Sequence, residues 1–269
     1  MRLSATSPIG IFDSGIGGLT VVRAVMERLP YENIAYFGDT ARVPYGVKSA
    51  DTVAKFAQEI AGFLLEQDVK MLIIACNTMA AVALDAVRGM SNVPVLEVID
   101  AGALTAISRT KSKRIGIIGT PSTIASGAYP AAIKRHETNG IFLAERACPL
   151  FVPLVEEGWL DHPVTRLTAQ EYLNPLLAQN IDTLILGCTH YPLLKPLLGS
   201  VLGPEVSLVD SAEAIALRAS ALLDEMNLRN PGTEEPRHVF HVTDVPQRFQ
   251  EIGERFLGRP LGDVRVESL

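Results

Sequence analysis

No C-x-x-C pair occurs in this sequence, no run of basic residues, and no apolar stretch long enough to cross a membrane. Each absence excludes a class. A structural zinc site ordinarily takes clustered ligands, and a redox dithiol ordinarily places its cysteines close together, so neither is expected. A nucleic-acid surface needs a basic patch, but 24 Lys+Arg stand against 30 Asp+Glu, a net charge of −6. A spanning helix needs about 20 consecutive apolar residues. The stretch from Met1 to Pro8 holds one arginine and no apolar core, so no secretion signal is read there. The expected compartment is the cytoplasm, and the expected state of Cys76, Cys148 and Cys188 is the reduced thiol. What is present is ordinary for a soluble globular protein: 269 residues, 48% hydrophobic and 20% charged. That length accommodates one large α/β domain or two small ones.

One short pattern is written twice. Met71-Leu72-Ile73-Ile74-Ala75 runs into Cys76-Asn77-Thr78, and Thr183-Leu184-Ile185-Leu186-Gly187 runs into Cys188-Thr189-His190. A short apolar run of this kind suits a strand buried on both faces of a parallel sheet. The polar residues after it fall at the strand's carboxyl end, where α/β sheets bind ligands. The repetition extends further. Ile9 to Ser14 is mirrored by Arg114 to Thr120, and the spacing from Asp13 to Cys76, 63 positions, is close to the 69 from Gly119 to Cys188. A whole unit is therefore duplicated, one thiol to each copy.

The remaining pattern is alternation of strand and helix. Ile9–Phe12 reads as a strand, Asp13-Ser14-Gly15-Ile16-Gly17-Gly18 as a glycine loop and Leu19–Arg28 as a helix. The glycines would permit unusual φ values and close approach of a ligand. A dinucleotide loop is the rival, with Asp39 as its ribose acid, but Thr20 stands at the third glycine position and Asp13 would repel a pyrophosphate. Strands are read at 33–37, 69–75, 93–98, 114–120, 140–145, 181–187, 206–209 and 239–242. Helices follow Ser49 as N-cap, Cys76-Asn77-Thr78, Pro121-Ser122-Thr123 and Asp210, with others at 167–178 and, near Asp244, 246–257. The expected fold is α/β: two pseudo-symmetric doubly wound lobes with the active site in the cleft between them. The first lobe is discontinuous, 1–98 and 209–269, and carries Cys76; the second, 99–208, carries Cys188.

Cys148, followed by Pro149 in apolar surroundings, reads as a small buried hydrophobe. Cys76 and Cys188 read differently, because each sits at a strand end beside ligand-binding residues. A nucleophilic enzyme needs only one such thiol with a base such as His190. Two thiols on opposite lobes suit a different chemistry, in which one takes a proton from one face of a carbon and the other supplies a proton to the opposite face. That is racemisation or epimerisation.

The motifs Ile11-Phe12-Asp13-Ser14-Gly15-Ile16-Gly17-Gly18-Leu19-Thr20, Tyr36-Phe37-Gly38-Asp39-Thr40, Val43-Pro44-Tyr45-Gly46, Ala75-Cys76-Asn77-Thr78 and Gly187-Cys188-Thr189-His190-Tyr191-Pro192-Leu193 together resemble those of the glutamate racemases. Ile118-Gly119-Thr120 and Val209-Asp210-Ser211 fit as well, and no motif position departs. The resemblance implies an isomerase that needs no cofactor and no metal, interconverts L- and D-glutamate by two-base proton transfer, and supplies D-glutamate for peptidoglycan synthesis. It implies a homodimer, with no membrane or nucleic-acid partner. Carried over by position, it makes Cys76 and Cys188 the acid/base pair, with Asp13 supporting the first thiol and His190 the second. It makes Asp13, Ser14, Tyr45, Gly46, Asn77, Thr78, Thr189 and His190 substrate contacts, with Thr120 and Thr123 added from the second lobe. Glu156 is read as a solvated surface glutamate in preference to a cleft residue. Aspartate racemases, hydantoin racemases and maleate isomerases share the superfamily look, and a topoisomerase-inhibiting binding protein is the rival from another class.

Overall fold

The structure, a computed structural model, describes residues 4–137, 140–232 and 234–269. In chain order it runs β1 (Ile9–Asp13), α1 (Leu19–Arg28), β2 (Ile34–Gly38), α2 (Ala50–Glu66), β3 (Met71–Ile74), α3 (Asn77–Met90), β4 (Val95–Glu97) and α4 (Val98–Arg109). The second half continues with β5 (Arg114–Gly119), α5 (Pro121–Ala125), α6 (Ala128–His136), β6 (Phe142–Ala147), α7 (Phe151–Glu156), α8 (Pro163–Leu177), β7 (Thr183–Gly187), α9 (Lys195–Leu202) and β8 (Ser207–Asp210). It closes with α10 (Ser211–Glu225), β9 (His238–Val242), α11 (Pro246–Leu257) and β10 (Asp263–Val266).

The strands form two sheets, ordered β10-β9-β2-β1-β3-β4 and β6-β5-β7-β8, with every pairing parallel. The central strands are buried along their whole length because helices cover both faces: β1, β2, β3 and β7 are buried at every residue, and all but Asp13 at the end of β1 and Thr183 at the start of β7 are free of charged or hydroxyl groups apart from the Tyr36 phenol. Each sheet contains the same internal order, second-first-third-fourth. In that order the crossovers leave in opposite directions on either side of the first and third strands, and a crevice opens at their carboxyl ends. Asp13 and Cys76 bracket this point in the first sheet, and Gly119 and Cys188 bracket it in the second. The duplication legible in the sequence is thus a duplication of topology.

Three local readings are corrected. The strand read at 93–98 stops at Glu97, and Val98 begins α4, a helix absent from the sequence reading. Its cause is the Glu97 side chain, which accepts from Ile99 N at 2.5 Å and Asp100 N at 2.8 Å and so caps a helix immediately. Asp210 does the same for α10, accepting from Ala212 N at 2.8 Å. These two helices carry the chain from one sheet to the other and back: α4 packs on α6 and β7, and α10 on α1 and α4. Strand β8 continues the second sheet to Asp210, so a lobe division at 208/209 falls inside that strand. Second, β10 lengthens the first sheet beyond the strands read from sequence; three of its four residues are exposed, so it carries no buried apolar run. Third, none of Gly15, Gly17 and Gly18 has positive φ. Their need for glycine is spatial, as the site shows.

Under the first sheet lies a buried ion pair. Lys70 and Glu32 side chains are 0% and 1% exposed, and the Lys70 ammonium sits 2.5 Å from Glu32 Oε2. The same ammonium donates to the carbonyls of Ala5 and Leu228, and Glu32 Oε1 accepts from Asn230 N. One cation therefore ties the amino-terminal segment and the loop after α10 to the sheet. Lys70→Met strands the Glu32 carboxylate in the interior. It should lower unfolding free energy by about 3–5 kcal/mol in urea titrations, whereas the double replacement Lys70→Met with Glu32→Leu should recover much of that loss.

Candidate active site

The first-lobe side is built from the ends of β1 and β3. Asp13 is 1% exposed, its Oδ2 accepts from Gly15 N at 3.0 Å, and its Oδ1 is buried with no hydrogen-bond partner among the described residues. Burial raises the pKa of this carboxyl, against the opposing charge of His190. Cys76 follows β3 and stands at the N-cap position of α3; its thiol donates to Ser14 Oγ at 3.5 Å. Burial first, and the Asp13 charge second, push that thiol up to about 12. Cys76 therefore rests as a protonated thiol beside a carboxyl able to exchange its proton.

The second-lobe side is built from the end of β7 and from α7. Cys188 Sγ lies 3.9 Å from His190 Nδ1, and His190 Nε2 lies 3.1 Å from Glu156 Oε1. Burial disfavours the charged ring, but the hydrogen bonds and charges of Cys188 and Glu156 outweigh it and raise His190 to about 10. The ring is thus an imidazolium at neutral pH, donating from both nitrogens. Its bond to Glu156 holds that carboxyl below the usual range. Glu156 is a cleft residue one-third exposed, which corrects its reading as a solvated glutamate. The only hint in the sequence was its place at the end of Phe151–Glu156, near a cysteine segment.

Between the two sides lies a cavity of about 460 Å³. Cys76, Cys188, Ser14, Tyr45, Gly46, Asn77, Thr78, Thr120, Thr189 and His190 all reach its wall. Asp13 and Thr123 do not; both are buried behind it. Thr123 bonds to Thr120 at 2.9 Å and to Thr78 at 3.4 Å, so it supports those hydroxyls across the lobes. Asn77 Oδ1 accepts from the Tyr129 hydroxyl at 2.7 Å, which orients the amide and leaves Nδ2 buried without a partner among the described residues. That free donor stands in the first turn of α3, where unpaired backbone N–H groups favour an anion. The Tyr45 hydroxyl bonds to Asp39, whose carboxylate also takes Arg42 Nε at 2.6 Å and Thr243 Oγ1 at 2.9 Å. Asp39 anchors the loop that carries Tyr45 and Gly46, a role its position after a strand did not disclose. Val43, Pro44, Pro149, Val152 and Pro153 supply an apolar wall, and no lysine is among the described lining residues. Cys148 is fully buried, and burial raises its thiol pKa.

The lobes meet closely behind the cavity. Ser122 Oγ donates to Gly46 O at 2.7 Å, and His190 packs edge-on against Phe256 of α11 with centroids 5.1 Å apart. A Cβ on Gly17 would collide with Thr189 Oγ1 and with the His190 ring, and one on Gly18 with Asp13 and Tyr36. Among the described residues no helix is long and apolar enough to cross a membrane, and no group of three or more His, Cys, Asp or Glu is placed to hold a metal ion.

The sequence model of the Asp/Glu/Hydantoin racemase family matches residues 19–219. Over 264 residues, 97% of each chain, the sequence is 64% identical to a glutamate racemase of Syntrophus aciditrophicus. The fold superposes with a TM-score of 0.92 on the crystal structure of a Francisella tularensis glutamate racemase in complex with D-glutamate, at 43% identity and 98% coverage of both chains. A glutamate racemase isoform of Bacillus anthracis gives a TM-score of 0.94 at 39% identity, again over 98% of both chains.

Proposed function

This chain belongs to the Asp/Glu/Hydantoin racemase family, and from that premise we propose that it interconverts L- and D-glutamate by proton transfer between two cysteines, without a cofactor. Its full-length relatives at high identity are glutamate racemases, which supports glutamate racemisation as its activity. The observation that carries the mechanism is one cavity walled by two thiols from equivalent strand ends, each with its own proton-handling partner.

Glutamate binds with its α-carbon between the thiols. Its carboxylates are held by Asn77 Nδ2, the first N–H groups of α3 and the hydroxyls of Ser14, Thr78, Thr120 and Thr189. One cysteine, as thiolate, takes the α-proton, and the electron pair of the broken C–H bond passes to the carbon and its carboxylate. The opposite thiol gives its proton to the other face of that carbon, closing the new C–H bond and becoming the thiolate. Asp13 and His190 return the two sulfurs to their starting states. The fixed donors stabilise charge as it grows on the carboxylate, and the apolar wall keeps water away. A pyridoxal cofactor would take a lysine amine, and the cavity wall supplies none among the described residues. The product D-glutamate serves peptidoglycan synthesis in this reading, and the enzyme acts in the cytoplasm as a homodimer. Its lobes divide near residue 98 and near residue 209, with β8 kept whole in the second lobe to Asp210. The direct test is purified protein with L-glutamate and no added cofactor, resolved on a chiral column. D-Glutamate accumulating to an equal mixture supports the assignment; unchanged L-glutamate from folded, reduced protein refutes it.

The His190–Glu156 bond gives a pH prediction. Folded His190 is raised above its ordinary value of 6.5, so its contribution to stability is complete below that pH and disappears as pH rises through about 10. The imidazolium is lost over the same interval, and the alkaline limb of kcat/KM follows it. Glu156→Gln removes one of the charges that hold the proton, so the limb should move to lower pH while the acidic limb stays in place. A pH profile of kcat/KM for the two proteins measures this.

A further inference from the structure

We propose that Thr20 is the positioning residue that holds the second thiol's turn in register with the first lobe. The inference rests on the two-thiol reading above. Thr20 is the residue that breaks the dinucleotide glycine pattern, and in the structure it is buried at the second position of α1. Its hydroxyl lies 2.9 Å from Gly17 O and 3.0 Å from Thr189 O. The first contact is an ordinary bond back to the preceding turn of a helix. The second shares the hydroxyl's one hydrogen with the first and is not local: it crosses 169 positions of sequence, from the first turn of α1 in one lobe to the turn at the end of β7 in the other.

Thr189 stands between Cys188 and His190. Fixing its carbonyl fixes the peptide planes on which both the thiol and its imidazolium ride. The neighbouring surface is shaped for the same purpose, since Gly17 leaves room for Thr189 and His190 and for nothing larger. The hydroxyl of Thr20 is therefore the polar pin of a contact whose apolar part is glycine backbone. It touches neither thiol, so it acts through the turn. Loss of the pin should displace Cys188 and His190 relative to Cys76 while leaving the Asp13–Ser14–Cys76 side unchanged. Displacement of a reacting group by about 1 Å costs on the order of a hundredfold in rate.

The test compares Thr20→Val, which keeps the shape and removes the hydroxyl, with Thr20→Ser, which keeps the hydroxyl. The expected result for Thr20→Val is a fall in kcat of about tenfold to a hundredfold with a smaller change in KM. The primary isotope effects on α-deuterated L- and D-glutamate should become unequal, the larger belonging to the enantiomer whose proton Cys188 removes. The pH profile of alkylation at Cys188, read by peptide mass, should shift while that at Cys76 does not. Thr20→Ser should restore all three readouts toward the parent protein. Equal isotope effects together with an unshifted Cys188 profile in Thr20→Val would overturn the inference, whatever happens to turnover. A parent protein that fails to turn over glutamate refutes the racemase reading, and the alkylation profile then decides the role of Thr20 by itself.

Discussion

Cys76→Ala is expected to lose conversion of both glutamate enantiomers, by about 10²–10⁴-fold in kcat/KM, and Cys188→Ala to lose as much. The reasoning is geometric. Each thiol belongs to one face of the α-carbon, and inversion needs removal on one face and delivery on the other, so neither cysteine substitutes for its partner. The double replacement should then cost little more than either single one, because the residues act as one unit. Both positions are buried and small, and alanine removes only the sulfur, so near-parental thermal melting should accompany the loss. A variant that still converts one enantiomer at the parental rate would show that a single base carries the reaction. Cys148→Ala provides the control: that thiol is buried away from the cavity wall and bonds to the Arg146 carbonyl. Turnover there should stay close to the parent's.

Gly17→Ala is the second large effect. The added methyl has no space, since its carbon would overlap Thr189 Oγ1 and sit 2.6 Å from His190 Nδ1. His190 cannot retreat easily, held by Glu156 on one side and packed on Phe256 on the other. The substitution should cost about 1–3 kcal/mol of stability as overpacking. Through displacement of the second thiol's turn, it should also cost on the order of a hundredfold in kcat. The contrast is Gly89→Ala in α3, where, beyond the helix's own backbone, no described residue lies within 4 Å of the new carbon. There the gain in helix propensity, about 1 kcal/mol at most, should leave activity intact. Steady-state kinetics and urea denaturation of the pair separate the two outcomes.

The architecture was legible because burial on both faces writes a parallel strand as a plain apolar run, and because the run was written twice with its cysteine. The internal spacing then placed both thiols at equivalent strand ends, and the sheets repeat one order around them. The helix at Val98–Arg109 escaped because its signal is a glutamate capping from inside what reads as strand. The glycine loop is legible as a loop, but not the reason for its glycines, which is lack of room: Gly18 faces Asp13 and Tyr36, and Gly17 faces Thr189 and His190, about 170 positions away, which no local pattern contains. Glu156 escaped for a related reason. A glutamate on a short helix is ordinarily solvated, and only its distance to His190 shows otherwise. Asp39, just after a strand, has the place of a ribose acid in the sequence. Its partners Arg42, Tyr45 and Thr243 come from three directions, and it is their convergence that makes it an anchor.

The central claim is two-base inversion, and its most direct test is the fate of the α-hydrogen in deuterium oxide at low conversion. L-Glutamate is incubated with the enzyme, the two enantiomers are separated, and α-deuterium is measured in each. Two thiols predict D-glutamate fully deuterated at the α-carbon while the remaining L-glutamate still carries protium. Protium retained in the D-glutamate, or deuterium entering the L-glutamate pool as fast as product forms, would mean that one group serves both faces, and would contradict the account.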